Sequence, residues 1–125
     1  MKKAFNHTSR EIGAFGEEVV SRYLALRGYK ILCRNYTVKG GELDIVARRF
    51  GTLVFVEVKT RDDKNTAVFG DPSSAVDEKK RQHIKLAAKR YLSEHRPSYK
   101  LIRMDVAEVY ISGNRHKINY IKNAF

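Results

Sequence analysis

The chain has 125 residues, 42% of them hydrophobic and 31% charged with both signs present, enough to close one hydrophobic core and unlike a disordered polyelectrolyte. Its longest aliphatic or aromatic run, Leu53 to Val56, is far short of the ~20 residues of a membrane-spanning helix, and polar Asn6, His7, Thr8 and Ser9 follow Lys2 and Lys3 where a signal peptide would be apolar. With 25 basic against 14 acidic residues the formal charge is +11, a field suited to a polyanion, nucleic acid foremost.

A single domain spanning residues 1–125, a cytoplasmic location and no membrane partner are the expectations that follow. Cys33 is alone, which excludes an internal disulfide and any multi-cysteine metal site, and its neighbours Ile31 and Leu32 suggest a buried thiol.

Thr8 and Glu11 have the spacing of a capping box, and Ile12, Phe15, Val19, Tyr23 and Leu26 recur at helical intervals until Gly28. Gly13 and Gly16 would let this helix approach a sheet closely. Tyr29 to Arg34 reads as a strand, Lys39-Gly40-Gly41 as a turn, Glu42 to Arg48 as a second strand and Thr52 to Thr60 as a third. Asp71-Pro72-Ser73-Ser74 punctuates the chain before a long second helix that buries Ile84, Ala87, Ala88 and Tyr91, reaches about His95 and is ended by Pro97. Leu101 to Ile111 and Lys117 to Ile121 read as two closing strands joined across Ser112-Gly113-Asn114. The order is α-β-β-β-α-β-β.

The second helix concentrates the positive charge. Between Lys79 and Lys100 the basic residues Lys79, Lys80, Arg81, Lys85, Lys89, Arg90, Arg96 and Lys100 face only Glu94. The first six are the candidate nucleic-acid contacts, with Tyr36, Tyr91 or Tyr99 beside them. A solvated helix face that keeps the protein soluble is the competing reading.

If Phe50-Gly51 is a two-residue turn, Arg49 faces Thr52, Ala47 faces Val54, Ile45 faces Val56, Leu43 faces Val58 and Asp44 faces Glu57. A one-residue slip would destroy the apolar face this creates, whereas a two-residue slip would keep it. Glu42, Asp44, Glu57 and Lys59 share the other face, with Asp44 and Glu57 roughly 4.5–5.5 Å apart at Cβ. Two opposed carboxylates destabilise a sheet unless a divalent cation, a raised carboxyl pKa or Lys59 compensates. All-oxygen donors suit Mg²⁺ or Mn²⁺, while the four histidines, His7, His83, His95 and His116, fit no paired metal-ligand spacing. Glu17 is a further acidic candidate because Val20 and Leu24 lie on its side of the first helix; a partly exposed residue paired with Ser21 or Arg22 is the alternative. Asp105 is a reserve candidate, its ordinary role being to satisfy Arg103 or a helix terminus.

Asp44 followed by Glu57-Val58-Lys59 at the end of an apolar strand resembles the core of the PD-(D/E)xK nuclease superfamily. Within it the chain resembles the bacterial YraN-like family through Gly13, Gly16-Glu17, Gly41 to Ala47, Val54 to Lys59, Phe69-Gly70 and Tyr120 to Phe125. The resemblance implies an α/β fold with a restriction-endonuclease-like αβββαβ core, a mixed central sheet flanked by helices, similar to Holliday-junction resolvases. It implies Asp44, Glu57 and the Val58 carbonyl as ligands of Mg²⁺ or Mn²⁺, Lys59 as the residue that orients or activates water, and Glu17 as an assisting acid. Thr37 departs from the pattern, standing where many relatives carry a basic residue.

The function expected is a magnesium-dependent nuclease acting on DNA phosphodiester bonds, structure-selective or nonspecific, because 125 residues leave little room for a recognition domain. A noncatalytic nucleic-acid-binding module on the same fold is the alternative, and a subunit lending its basic surface to a larger complex is a third. Resolvase-like action would require a homodimer with two-fold symmetry.

Overall fold

The computed structural model describes residues 9–62 and 77–125. Thr8 of the expected capping box, Phe69-Gly70 and Asp71-Pro72-Ser73-Ser74 lie outside them. The elements are α1 (Ser9–Leu26), β1 (Lys30–Val38), β2 (Gly41–Arg49), β3 (Thr52–Asp62), α2 (Glu78–His95), β4 (Leu101–Ser112) and β5 (Arg115–Ile121). The predicted order is therefore the observed one, with β1 longer than the sequence signals.

The strands form one sheet in the order β1-β2-β3-β4-β5. β3 and β4 run parallel, because the connection between them carries α2, and the other neighbours are antiparallel hairpins. This is the mixed α/β sheet flanked by helices that a restriction-endonuclease-like core requires. On one face Val19, Val20 and Leu24 of α1 pack on Ile45, Ala47, Val54, Val56, Ala107 and Val109. On the other, Ile84, Ala87, Ala88 and Tyr91 of α2 pack on Leu43, Val46, Leu53, Phe55 and Val106. Two-sided burial explains why Leu53-Val54-Phe55-Val56 is a continuous apolar run.

Helix α1 turns a different stripe inward from the one its periodicity suggests. Gly16, Val19, Val20 and Leu24 are buried, whereas Phe15 is 43% and Leu26 is 85% exposed. Gly16 sets the approach: a Cβ there would lie 1.8 Å from Thr60 Oγ1. Gly13, expected to play the same part, has nothing near its Cβ position. Helix α2 starts at the N-cap Asp77, whose side chain accepts from the Lys80 amide, and ends where Arg96 takes a left-handed conformation before Pro97. Cys33, read as buried, is only half-buried on the edge strand β1.

The β2–β3 register is Arg49↔Thr52, Ala47↔Val54 and Ile45↔Val56, set by the two-residue turn at Phe50-Gly51. The ladder stops there, so Asp44 and Glu57 are not a hydrogen-bonded pair of the sheet. The predicted single apolar face also breaks at this point: Ile45 and Ala47 face α1, but Leu43 packs with Val46 against α2. On the neighbouring strand Asn35, between the paired Arg34↔Ile45 and Tyr36↔Leu43, has φ 55. Asn tolerates that left-handed conformation, and it lies across from Asp44, where the two-residue alternation of β2 also breaks.

Candidate active site

Asp44 sits just past the end of the β2–β3 ladder and at a skipped position of the β1–β2 ladder, where its side chain acts as a local cap: Oδ2 accepts a hydrogen bond from the Val58 amide at 2.8 Å. That bond holds the two strands together where their own pairing has ended. It also places Asp44 beside Glu57, and the two residues are 7% and 4% exposed.

Burial and then the adjacent Asp44 charge push the Glu57 carboxyl up to about 8, against the pull of Lys80 and Lys59. Glu57 thus keeps its proton at neutral pH. Of the compensations open to two opposed carboxylates, the protein's own groups supply two, a raised pKa and nearby ammonium groups. The nearer ammonium is not the one anticipated. Lys80 Nζ of α2 lies 3.4 Å from Glu57 Oε2, while Lys59 Nζ lies 3.9 Å from the same oxygen. Burial works against the charge on Lys80, but Glu57, Asp44 and Glu42 outweigh it and raise its pKa.

Glu17 enters from α1, half-buried, with its pKa raised by burial and then by Asp44 and Glu42, while an Asn35 side-chain hydrogen bond and Arg34 oppose the shift. Its influence on the pair is electrostatic. Glu42 is exposed and lines a cleft of about 230 Å³ with Thr37, Val38, Gly41, Lys80 and His83. Gly41 makes that closeness of β2 and α2 feasible, since a Cβ there would stand 2.3 Å from the His83 carbonyl oxygen.

The six basic candidates of α2 divide. Lys79, Lys85, Lys89 and Arg90 are exposed; Lys80 turns into the carboxylate site, and half-buried Arg81 lies over the Phe125 ring at 5.9 Å. The position of Lys80 could have been read from spacing, because it precedes Ile84, Ala87 and Tyr91 by 4, 7 and 11 residues, the stripe that faces the sheet. Nearby, Tyr36 donates to Glu94 and meets Tyr91 and His95 edge-on, so it is engaged in holding β1 to α2.

Asp105 is fully buried and committed elsewhere. It accepts from Arg103 Nε on both oxygens, from Tyr120 OH at 2.6 Å and from the Asn123 amide at 2.9 Å. It anchors the C-terminal segment, as the reading that paired it with Arg103 anticipated. Glu108, 1% exposed and accepting from Tyr110 OH at 2.7 Å, is a buried acid that pattern reasoning did not single out.

Among the described residues no three His, Cys, Asp or Glu side chains converge to hold a metal ion by themselves. Asp44, Glu57 and the Val58 carbonyl would present an all-oxygen donor set, the donor chemistry of Mg²⁺ or Mn²⁺ with water and phosphate completing the shell. The donor types fit such an ion.

Fold and site together describe a small α/β protein whose sheet, flanked by helices, is consistent with a restriction-endonuclease-like core. The chain belongs to the uncharacterised protein family UPF0102, also called YraN, which its residues 16–109 match. It is 42% identical to a UPF0102 protein of Syntrophomonas wolfei over 94% of this chain and 99% of the relative. It is 43% identical to one of Caldicellulosiruptor bescii over 93% and 98%, and 45% identical to one of Pelobacter propionicus over 94% and 84%. No helix among the described residues is long and apolar enough to cross a membrane.

Proposed function

We propose that this protein is a metal-dependent nuclease that hydrolyses phosphodiester bonds of DNA without reading sequence. The observation that carries the proposal is the buried Asp44–Glu57 pair with two lysine ammonium groups within 4 Å of one Glu57 oxygen. A purely structural site would gain more from apolar side chains of similar volume, since buried charges are costly to desolvate.

A hard divalent cation bound at these oxygens would supply Lewis acidity toward a phosphate and a more acidic coordinated water. The chain's own contributions are distinct. Asp44, fixed through the Val58 amide, presents a carboxyl that cannot swing away. Lys59, half-buried beside Glu57, holds a fixed positive charge where negative charge grows on phosphate oxygens in the transition state. Glu17 adds negative potential from α1 that favours cation uptake. Lys79, Lys85, Lys89 and Arg90 stand exposed along α2 to meet the nucleic-acid backbone, contacts that carry charge and shape but no base sequence.

One observation favours a second reading, a noncatalytic nucleic-acid-binding module: the proton held by Glu57 and the two lysines already compensate the carboxylates. Incubation with linear, flapped and branched DNA in Mn²⁺ or Mg²⁺ separates the two. The nuclease reading expects cleavage that falls by about 100-fold or more in Asp44→Asn, with DNA retention on a filter unchanged. Retention without cleavage in the wild type, on every substrate and in both metals, would leave the binding module.

A further inference from the structure

The role of Lys80 is not exhausted by either reading, because it stands inside the site but reaches it from the helix that carries the exposed basic residues. Its ammonium is closer to Glu57 than that of Lys59, and both point at the same oxygen. An ion seated about 2.1 Å from that oxygen would face Lys80 Nζ across no more than about 5.5 Å, in a place with little water to screen the repulsion. Lys59 is part of β3 and is held in register opposite Glu108. Lys80 instead lies near the start of α2, and its side chain already lines the cleft formed with Thr37, Gly41, Glu42 and His83. That cleft gives a lysine somewhere to go.

We infer that Lys80 is the resident counter-charge of the carboxylate pair, occupying Glu57 in the metal-free protein and exchanging with a divalent cation by swinging into the adjoining cleft. In the cleft the same ammonium meets the phosphate group of a bound strand, so that cation uptake and substrate engagement are coupled through one side chain. Lys80 is thus a positioning residue of the site, distinct from the backbone contacts at Lys79, Lys85, Lys89 and Arg90. This inference rests on the reading of Asp44 and Glu57 as cation ligands.

Titration calorimetry of Mn²⁺ into the full chain without DNA tests it, with thermal melts of the same samples. Lys80→Met removes the competitor and is expected to bind Mn²⁺ at least about tenfold more tightly than wild type. Its metal-free form should melt lower than wild type, and Mn²⁺ should raise its melting temperature by more. Lys80→Arg keeps the charge and should stay near wild type in both measurements, while Lys85→Met, on the exposed face, should change neither. Wild-type uptake with Lys80→Met equal or weaker overturns the exchange and leaves the metal site standing. No uptake by wild type or Lys80→Met overturns the metal reading and the exchange with it.

Discussion

Glu57 keeps its proton well above the ordinary glutamate range, and that proton has a thermodynamic signature. Its folded-state pKa of about 8 exceeds the ordinary value of 4.5, so between these limits the folded state binds more protons than the unfolded one. The contribution is fully present below about pH 4.5 and is lost as pH rises toward 8; the sign is opposite to that of a carboxylate in a favourable ion pair. Glu57→Gln, which cannot ionise, should exceed wild-type stability by on the order of 2–4 kcal/mol at pH 8 and by little at pH 4.5. Denaturant melts of both proteins across that range check this. A difference that does not grow with pH contradicts it. Asp105 is the contrasting case, a buried carboxylate fully committed to Arg103, Tyr120 and the Asn123 amide. Asp105→Ala should cost about 3–5 kcal/mol in the same melts, because it strands the Arg103 charge and releases the C-terminal segment. A loss of under 1 kcal/mol would contradict that anchoring role.

At the scale of elements, two glycines make opposite predictions. Gly41→Ala drives a Cβ toward the His83 backbone, which cannot rotate away, so β2 and α2 must separate at a cost of about 1–3 kcal/mol. Gly13→Ala meets nothing and replaces glycine in a helix interior, so it should stabilise by about 0.5–1 kcal/mol. Thermal melts that reverse this order would contradict the packing described. The same elements show what the sequence makes legible. The β2–β3 register is readable because Phe50-Gly51 and the alternating Ile45, Ala47, Val54 and Val56 specify it together. The change of face at Leu43 is not, because it breaks the two-residue alternation on which a strand reading rests. Phe15 and Leu26 have helical spacing but point outward, since Gly16 rather than Phe15 is the residue pressed on β3. That Asp44, Glu57 and Lys59 come close together is legible from the hairpin turn, although the ladder itself ends before Asp44 and Glu57. Lys80 reads as a surface residue when its charge alone is weighed, and only its spacing from Ile84 turns it inward.

For the whole molecule, the net charge of +11 sets the long-range behaviour and the site sets the chemistry. The DNA binding proposed for the four exposed basic residues of α2 should weaken steeply with salt. The double variant Lys85→Glu and Lys89→Glu should lower the slope of log affinity against log salt by about 1–2, roughly one for each phosphate no longer neutralised. Fluorescence anisotropy with a labelled duplex checks it; an unchanged slope would place the DNA surface elsewhere. Whether the two buried carboxyls form the proposed cation site is decided by calorimetric titration of Mn²⁺ into wild type and Asp44→Ala, each with a short branched DNA present. Wild type should show saturable uptake that disappears in the variant. Equal and negligible uptake by both would contradict the proposed site, leaving a basic binding domain whose carboxylates are compensated by the Glu57 proton, Lys80 and Lys59.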